Sequence, residues 1–316
     1  MLERPPYHRF AEFIEAGADR RHILRSLLGE MGLPFSKVTI AGNCHFFVGP
    51  EPPFRLPVPQ RSESRPPHPT NHSPNEVIRE VNLEVNLCAH YDRVAGSPGA
   101  NDNSAAVFQL IETAMKLRDA QKAGWLVILT DKEELSPGEH IRDQGSYTLA
   151  RALREAGRGG GEFFIFDACG VGDTLIISTM ADYMMKDTDG LEIARVRRQT
   201  KRLRNRALET ARKLSMDKVL LAPVPFSDDL GFLGGGITAQ TITVLPTKEA
   251  SELASNLRGA PGFTGALIKG ELRTPRLLSL IPETWRSLNS SEDRAEHLTP
   301  EHYKQVVRFA AALCGG

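Results

Sequence analysis

Cysteine is scarce in this sequence. Among 316 residues only Cys44, Cys88, Cys169 and Cys314 occur, far apart and with no CxxC pair. That spacing argues against a disulfide framework and favours a reducing compartment. Cys88 and Cys169 sit in or beside apolar runs, where a free thiol packs as a small hydrophobe. Long apolar stretches are missing as well. None approaches the ~20 residues of a membrane span, and the opening MLERPPYHRF has no apolar core of signal-peptide length. These absences predict a cytoplasmic protein with no membrane partner. Nor is there a surplus of either charge: 39 Lys plus Arg face 39 Asp plus Glu, so nothing draws the whole chain toward nucleic acid or anionic lipid. A local basic run at 191–214 has an inward stripe of Leu203, Ala207, Ala211 and Leu214. It carries no interleaved aromatic and reads as the solvated face of a helix, so no nucleic-acid partner is expected.

What is present is an alternation. Short apolar runs at 83–89, 125–130, 163–167, 174–178, 219–222 and 239–245 predict strands, and amphipathic stretches at 104–122, 145–156, 191–214 and 299–313 predict helices. Residues 8–32 are read as one helix, closed by Gly32 and Pro34, and 37–48 as one strand. The prolines crowded into 50–75 deny a helix or central strand, which leaves a loop excursion. Residues 247–288 show no clear period and are read as a rim or lid. No internal repeat is visible. The expectation is an α/β fold with a mostly parallel, eight-strand-like sheet covered on both faces, forming a single domain over 1–316.

Chemistry-bearing residues follow three of the strands, where an open α/β sheet exposes its crevice. His90-Tyr91-Asp92 ends the first and leads into Gly99-Ala100-Asn101-Asp102-Asn103-Ser104. Asp131-Lys132-Glu133-Glu134 ends the second, and Asp167 the third. Imidazole and carboxylates are zinc ligands, one carboxylate can bridge two ions, and a free carboxylate beside the attacking water can serve as general base. Adjacent Glu133 and Glu134 suit that division. Each element alone has a plainer explanation: a structural histidine, a solvated acidic turn, a helix cap at Asp102. Their joint occurrence after successive strands is harder to ascribe to coincidence.

The segment AHYDRVAGSPGANDNSAAV resembles the signature of the zinc aminopeptidase family that also includes glutaminyl cyclases. DKEELSPGEHIRDQGS resembles that family's Glu-Glu segment, and PFSDDLGFLGGGITAQTI its later Ser-Asp segment. The resemblance implies a three-layer αβα zinc-exopeptidase architecture with a mixed sheet. It also implies His90 and Asp167 on one zinc, Asp102 bridging, Glu134 on a second zinc, Glu133 as general base, Asp92 orienting His90, and Asp228 in support. The implied activity is aminopeptidase-like hydrolysis of a peptide or small amide. Glutaminyl-cyclase-like acyl transfer and a catalytically inactive binding protein are the alternatives. Two departures stand out. Aligning Asp293 with the family's final His-Thr-x-x-Asp puts Asn289 where the last histidine ligand belongs, which leaves one or two zinc ions open and makes His297 or His140 a substitute to consider. His297 and His302 also read simply as a helix start in EHLTPEHY. Asp229 stands where the family often has His.

Overall fold

The computed structural model describes residues 4–50, 84–186, 189–225, 227–272 and 274–315. The Pro-rich excursion expected at 50–75 lies outside these residues except for Pro50. The strands are β1 (Phe35–Ile40), β2 (Asn43–Val48), β3 (Val85–His90), β4 (Trp125–Thr130), β5 (Glu162–Phe166), β6 (Thr174–Ser178), β7 (Val219–Ala222) and β8 (Ala239–Leu245). They form one eight-stranded sheet in the order β1-β2-β4-β3-β5-β8-β6-β7. Strands β3, β4, β5 and β8 run parallel, as do β6 and β7, while β1–β2, β2–β4 and β6–β8 are antiparallel. Strands β3, β4, β5 and β8 are buried at every position. That is the expected state of parallel strands with both faces covered.

The helices are α1 (Phe10–Ile14), α2 (Arg20–Glu30), α3 (Ala105–Asp119), α4 (Gly145–Glu155), α5 (Met180–Met184), α6 (Leu191–Lys213), α7 (Asp228–Gly234), α8 (Thr247–Gly259), α9 (Phe263–Lys269), α10 (Pro275–Leu278), α11 (Glu283–Ser287) and α12 (Tyr303–Leu313). The two-residue period of the strands divides the core. Leu87, Val127, Leu129, Phe164 and Phe166 join the layer built by α2, α3, α6 and α12. Cys88, Leu126, Ile128, Phe163 and Ile165 join Leu149, Leu153 and Phe232 of α4 and α7 on the other face. The three-layer architecture is thus as expected.

Three local expectations are corrected. The strand read at 37–48 is a hairpin, because Ala41 and Gly42 both adopt positive φ (50° and 88°), the backbone of a tight two-residue turn. The helix read at 8–32 is broken: Gly17 takes φ 78°, and Asp19 restarts the chain by accepting the amide of His22 at 2.9 Å. The aperiodic stretch at 247–288 is largely helical. Its α8 and α9 bury Ala250, Leu253, Phe263 and Leu267 against Ile176 and Trp285, a stripe that the intervening glycines obscure. The basic helix α6 directs Arg202 and Arg206 to the buried carboxylate of Glu162 and Arg204 to Asp182. Much of its positive charge is therefore matched within the chain. No helix of the described residues is long and apolar enough to cross a membrane.

The N-terminal helices are pinned to the sheet layer by aromatic packing. Phe108 of α3 has ring centroids 5.1 Å from Phe10, 5.4 Å from Phe13 and 6.0 Å from Tyr7. Phe108→Ala is expected to cost about 3–5 kcal/mol, read as a lower urea midpoint. An unchanged midpoint would show that this cluster does not hold α1.

Candidate metal centre

The three adjacent parallel strands β4, β3 and β5 all end at one rim, and that rim gathers the polar residues. His90 is the last residue of β3 and is 1% exposed. Its Nε2 stands 3.0 Å from Asp102 Oδ1 and 3.7 Å from Asp167 Oδ1, and its Nδ1 stands 3.5 Å from Asp92 Oδ1. Neither ring nitrogen makes a hydrogen bond, so the carboxylates face the imidazole without lying along its N–H directions. The ligand atoms of His90, Asp102 and Asp167 lie within 4.8 Å of one another, and so do those of His90, Glu133 and Glu134. Two ligand atoms each about 2.0–2.2 Å from a zinc ion would lie at most about 4.4 Å apart. The first trio, on His90 Nε2, therefore has close to the size of a zinc site. Six of the residues singled out from the sequence converge here: His90, Asp92, Asp102, Glu133, Glu134 and Asp167.

Backbone amides build this convergence. Asp92 accepts the amides of Glu133 and Glu134, each at 3.1 Å, so the carboxylate facing His90 Nδ1 also fixes the acidic pair. The loop bearing Asp102 is clamped from both sides. Asn103 donates Nδ2 to Phe166 O at 2.8 Å and accepts the amide of Ala168 at 3.2 Å, while Asn101 accepts the amide of Gly170 at 2.7 Å. These contacts tie Asp102 to the segment that carries Asp167. Asp293 takes the amides of Asn101 and Asp102 at 2.7 and 3.0 Å. Gln144 donates to both the carbonyl and Oε1 of Glu133 at 3.0 Å. Gly145 could carry no side chain, because a Cβ would meet Asp131 O at 1.8 Å. Lys132 and Ala168, each next to a site residue, adopt positive φ of 64° and 50°, a backbone conformation that non-glycine residues hold only where neighbours enforce it.

The electrostatics of the cluster favour a cation. Burial raises Glu133 well above the ordinary carboxylate range, with Asp228 and Asp167 adding to it against the pull of His90. Burial and Asp102 raise Glu134 to about 8. Asp102 is raised by burial and by Asp167. Burial opposes charge on His90, but Asp102, Asp167 and Asp92 outweigh it and push the imidazole well above its usual value. Carboxylates crowded in this way are stabilised by a divalent cation. Unpaired buried atoms on His90 and Glu134, together with a nitrogen-and-oxygen donor set, fit zinc. Asp92 beside the second ring nitrogen is the usual partner of a metal-bound imidazole.

A cleft of about 330 Å³ opens over this cluster, lined by Asp102, Glu133, Glu134 and Asp167 and also by Trp285, Leu288 and Asn289. Asn289 thus reaches the cleft. His297 and His140 are both exposed and do not line it. His297 instead contacts Glu292 O at 2.8 Å at the approach to α12, which favours the helix-start reading over the ligand one. Among the described residues, no His, Cys, Asp or Glu forms a third cluster with the pair Asp102 and Glu134. Asp228 is fully buried and accepts from Thr130 Oγ1 at 2.5 Å. Asp229 is buried, with Oδ1 unpartnered. Sequence reading missed Asp293 as a clamp, having used it only to anchor an alignment. It also missed Gln144 and His45. The latter is buried in β2, accepts the amide of Asp131 at 3.3 Å, and is held by burial at about 4. The asparagines flanking Asp102 were a signal that could have been read as loop clamps.

Burial raises Asp229 to about 7, well above an unfolded carboxyl near ~3.9. Between those values the folded chain binds more protons than the unfolded chain. Stability should therefore fall as pH rises from about 4 to about 7, by roughly 1.4 kcal/mol per pH unit for this group. Asp229→Asn is expected to flatten that part of a pH–stability curve measured by chemical denaturation. An unchanged slope would show that Asp229 is not held protonated.

Comparison with known proteins agrees with this picture. No curated protein sequence matches the chain. Among solved structures, an aminopeptidase of Legionella pneumophila is 14% identical with TM-score 0.60, covering 98% of this chain and 68% of its own. A Zn-dependent exopeptidase of Parabacteroides distasonis is 13% identical with TM-score 0.57, covering 98% and 96%. A glutaminyl cyclase of Porphyromonas gingivalis is 13% identical with TM-score 0.58, covering 98% and 94%. The chain spans only about half, 48%, of a zinc aminopeptidase from Bacillus subtilis that it also matches. At these identities the structural likeness establishes the fold. The family follows from the sequence profile of peptidase family M28, which matches residues 75–252, the stretch that carries His90, Asp92, Asp102, Glu133, Glu134 and Asp167. The chain belongs to peptidase family M28.

Proposed function

We propose that the chain is a zinc-dependent, aminopeptidase-like hydrolase working with one tightly held metal. The observation that carries this reading is the buried His90 Nε2 facing Asp102 and Asp167 at 3.0 and 3.7 Å without a hydrogen bond. His90, Asp102 and Asp167 would hold the ion, which when bound supplies Lewis acidity to the scissile carbonyl and to the attacking water. Glu134 and Asn289 line the same cleft, but an amide oxygen is a weaker zinc ligand than imidazole, so a second ion would be bound loosely.

Around that centre the chain's residues divide the work. Asp92, fixed by two backbone amides, faces His90 Nδ1 at 3.5 Å and would orient the ring when the ion is bound. Gln144 restrains one carboxylate oxygen of Glu133, which leaves the other to take a proton from the attacking water and pass it to the leaving amine. Besides its carboxylates the cleft is lined by apolar side chains, Leu135, Ile141, Val224, Leu230, Trp285 and Leu288. This lining suits a peptide with a free amino terminus and an apolar first side chain. Residues 1–316 are read as one catalytic unit, with α8 to α11 supplying the rim through Trp285. All four cysteines are free and three are buried, which is compatible with a cytoplasmic location.

Four measurements test this. Elemental analysis after zinc incubation and desalting should give one equivalent. Well under one would favour a non-catalytic binding protein. Glu133→Gln should lower kcat about 10²- to 10⁴-fold, and undiminished turnover removes Glu133 from that role. Hydrolysis of leucine amide should exceed that of lysine or glutamate amide. Pyroglutamate release from a Gln-initiated peptide, with no amide hydrolysis, would transfer the reading to acyl transfer.

A further inference from the structure

Arg20 lies in α2, outside the segment that matches the family, yet it is 6% exposed and reaches the loops that carry the proposed metal ligands. We propose that Arg20 is a positioning residue for zinc binding: its guanidinium ties the exit of His90 to the entry of Asp102 and so sets the spacing between those two ligands. The inference rests on the zinc-binding reading above.

The geometry is that of a staple. Nη1 donates to Tyr91 O at 3.0 Å and Asp92 O at 3.2 Å, immediately after His90. Nη2 donates to Pro98 O at 2.8 Å, to Gly99 O at 3.4 Å and to Ser104 Oγ at 3.0 Å, on both sides of Asp102. Nε donates to Phe13 O at 3.1 Å, and Cζ sits 4.6 Å from the centre of the Phe13 ring. These acceptors are neutral carbonyls and a hydroxyl. The charge of Arg20 is opposed by burial and by Arg93 and favoured by Asp92, Asp102 and Asp293 without contact, which leaves its guanidinium lowered to about 9. A buried cation held by backbone carbonyls is costly unless its hydrogen bonds are filled, and here they are filled by the loop it organises. Lysine could not replace it, because only a planar fork reaches both ends of the loop at once.

The contact is reciprocated. Arg93, from the loop, donates Nη1 to Ile14 O at 2.7 Å and to Pro98 O at 2.9 Å, and Nη2 to Glu15 O at 2.5 Å. The turn between α1 and α2 and the loop 91–104 are therefore stapled by one arginine from each side. The side-chain cap of Asp19 starts α2 at Arg20, which fixes where the guanidinium emerges. Positions supporting a metal ligand typically change metal affinity 10- to 100-fold when altered.

The test combines zinc titration calorimetry with amide hydrogen exchange of the metal-free protein, on wild type, Arg20→Lys and Arg93→Gln. Arg20→Lys should raise the zinc Kd about 10- to 100-fold. Protection should drop within 91–104 while β3, β4 and β5 keep theirs. Arg93→Gln should show a smaller change in the same segment, and it carries the test if Arg20→Lys does not fold. A folded Arg20→Lys with wild-type Kd and wild-type loop protection overturns the proposal, as does a loss of protection spread evenly over the sheet. A wild type that binds no zinc sinks the metal reading, and the proposal with it. The exchange data then report separately whether the staple holds the loop.

Discussion

The organising constraint is a concentration of buried carboxylates around one imidazole. Asp102, Glu133, Asp167 and Asp228 are buried at the rim of the sheet beside His90, Asp92 is partly buried there, and Glu134 lines the cleft. Like charges so close cannot all be ionised without a compensating cation. On the rim of the sheet, directed hydrogen bonds fix the loops that carry them. Backbone amides from two segments point at Asp92 and Asp293, and the asparagines flanking Asp102 lock its loop to the chain leaving β5. The site is a set of loops cross-braced by side chains that are not themselves ligands.

That bracing explains why the sheet order matters. Strands β4, β3 and β5 are neighbours and run parallel. Each delivers its acidic or imidazole group at the same rim, the usual position of a crevice in an open α/β sheet. The hydrophobic core sets the rim by burying every residue of these strands. Electrostatics cannot build the site, but they determine what it will accept. The helical segment α8 to α11 contributes Trp285, Leu288 and Asn289 to the lining of the cleft through α11 and the turn that follows it. The chemistry of the cleft is therefore divided between two distant stretches of sequence.

Much of this was legible in the sequence. Strand ends mark where a sheet presents ligands, so His90, the acidic pair and Asp167 could be picked out from the apolar runs before them. The motif around Asp102 supplied the family. Contacts bridging large sequence separations were not legible. Nothing local to Asp293 announces that it accepts two amides 191 and 192 residues away, and nothing in Arg20 distinguishes it from the surface arginine beside it. Local breaks were misjudged for a simpler reason. A single positive-φ turn at Ala41-Gly42 and a cap at Asp19 each interrupt an otherwise continuous apolar pattern, and periodicity cannot see a change of direction. In α8 and α9, intervening glycines masked a stripe that packing makes plain.

The most direct measurement of the central claim is anomalous diffraction at the zinc edge from a crystal grown with zinc. One strong peak should appear between His90 Nε2 and the carboxylates of Asp102 and Asp167, with at most a weak second peak toward Glu134 and Asn289. No peak at His90, or a dominant peak bound elsewhere on the chain, would contradict the account.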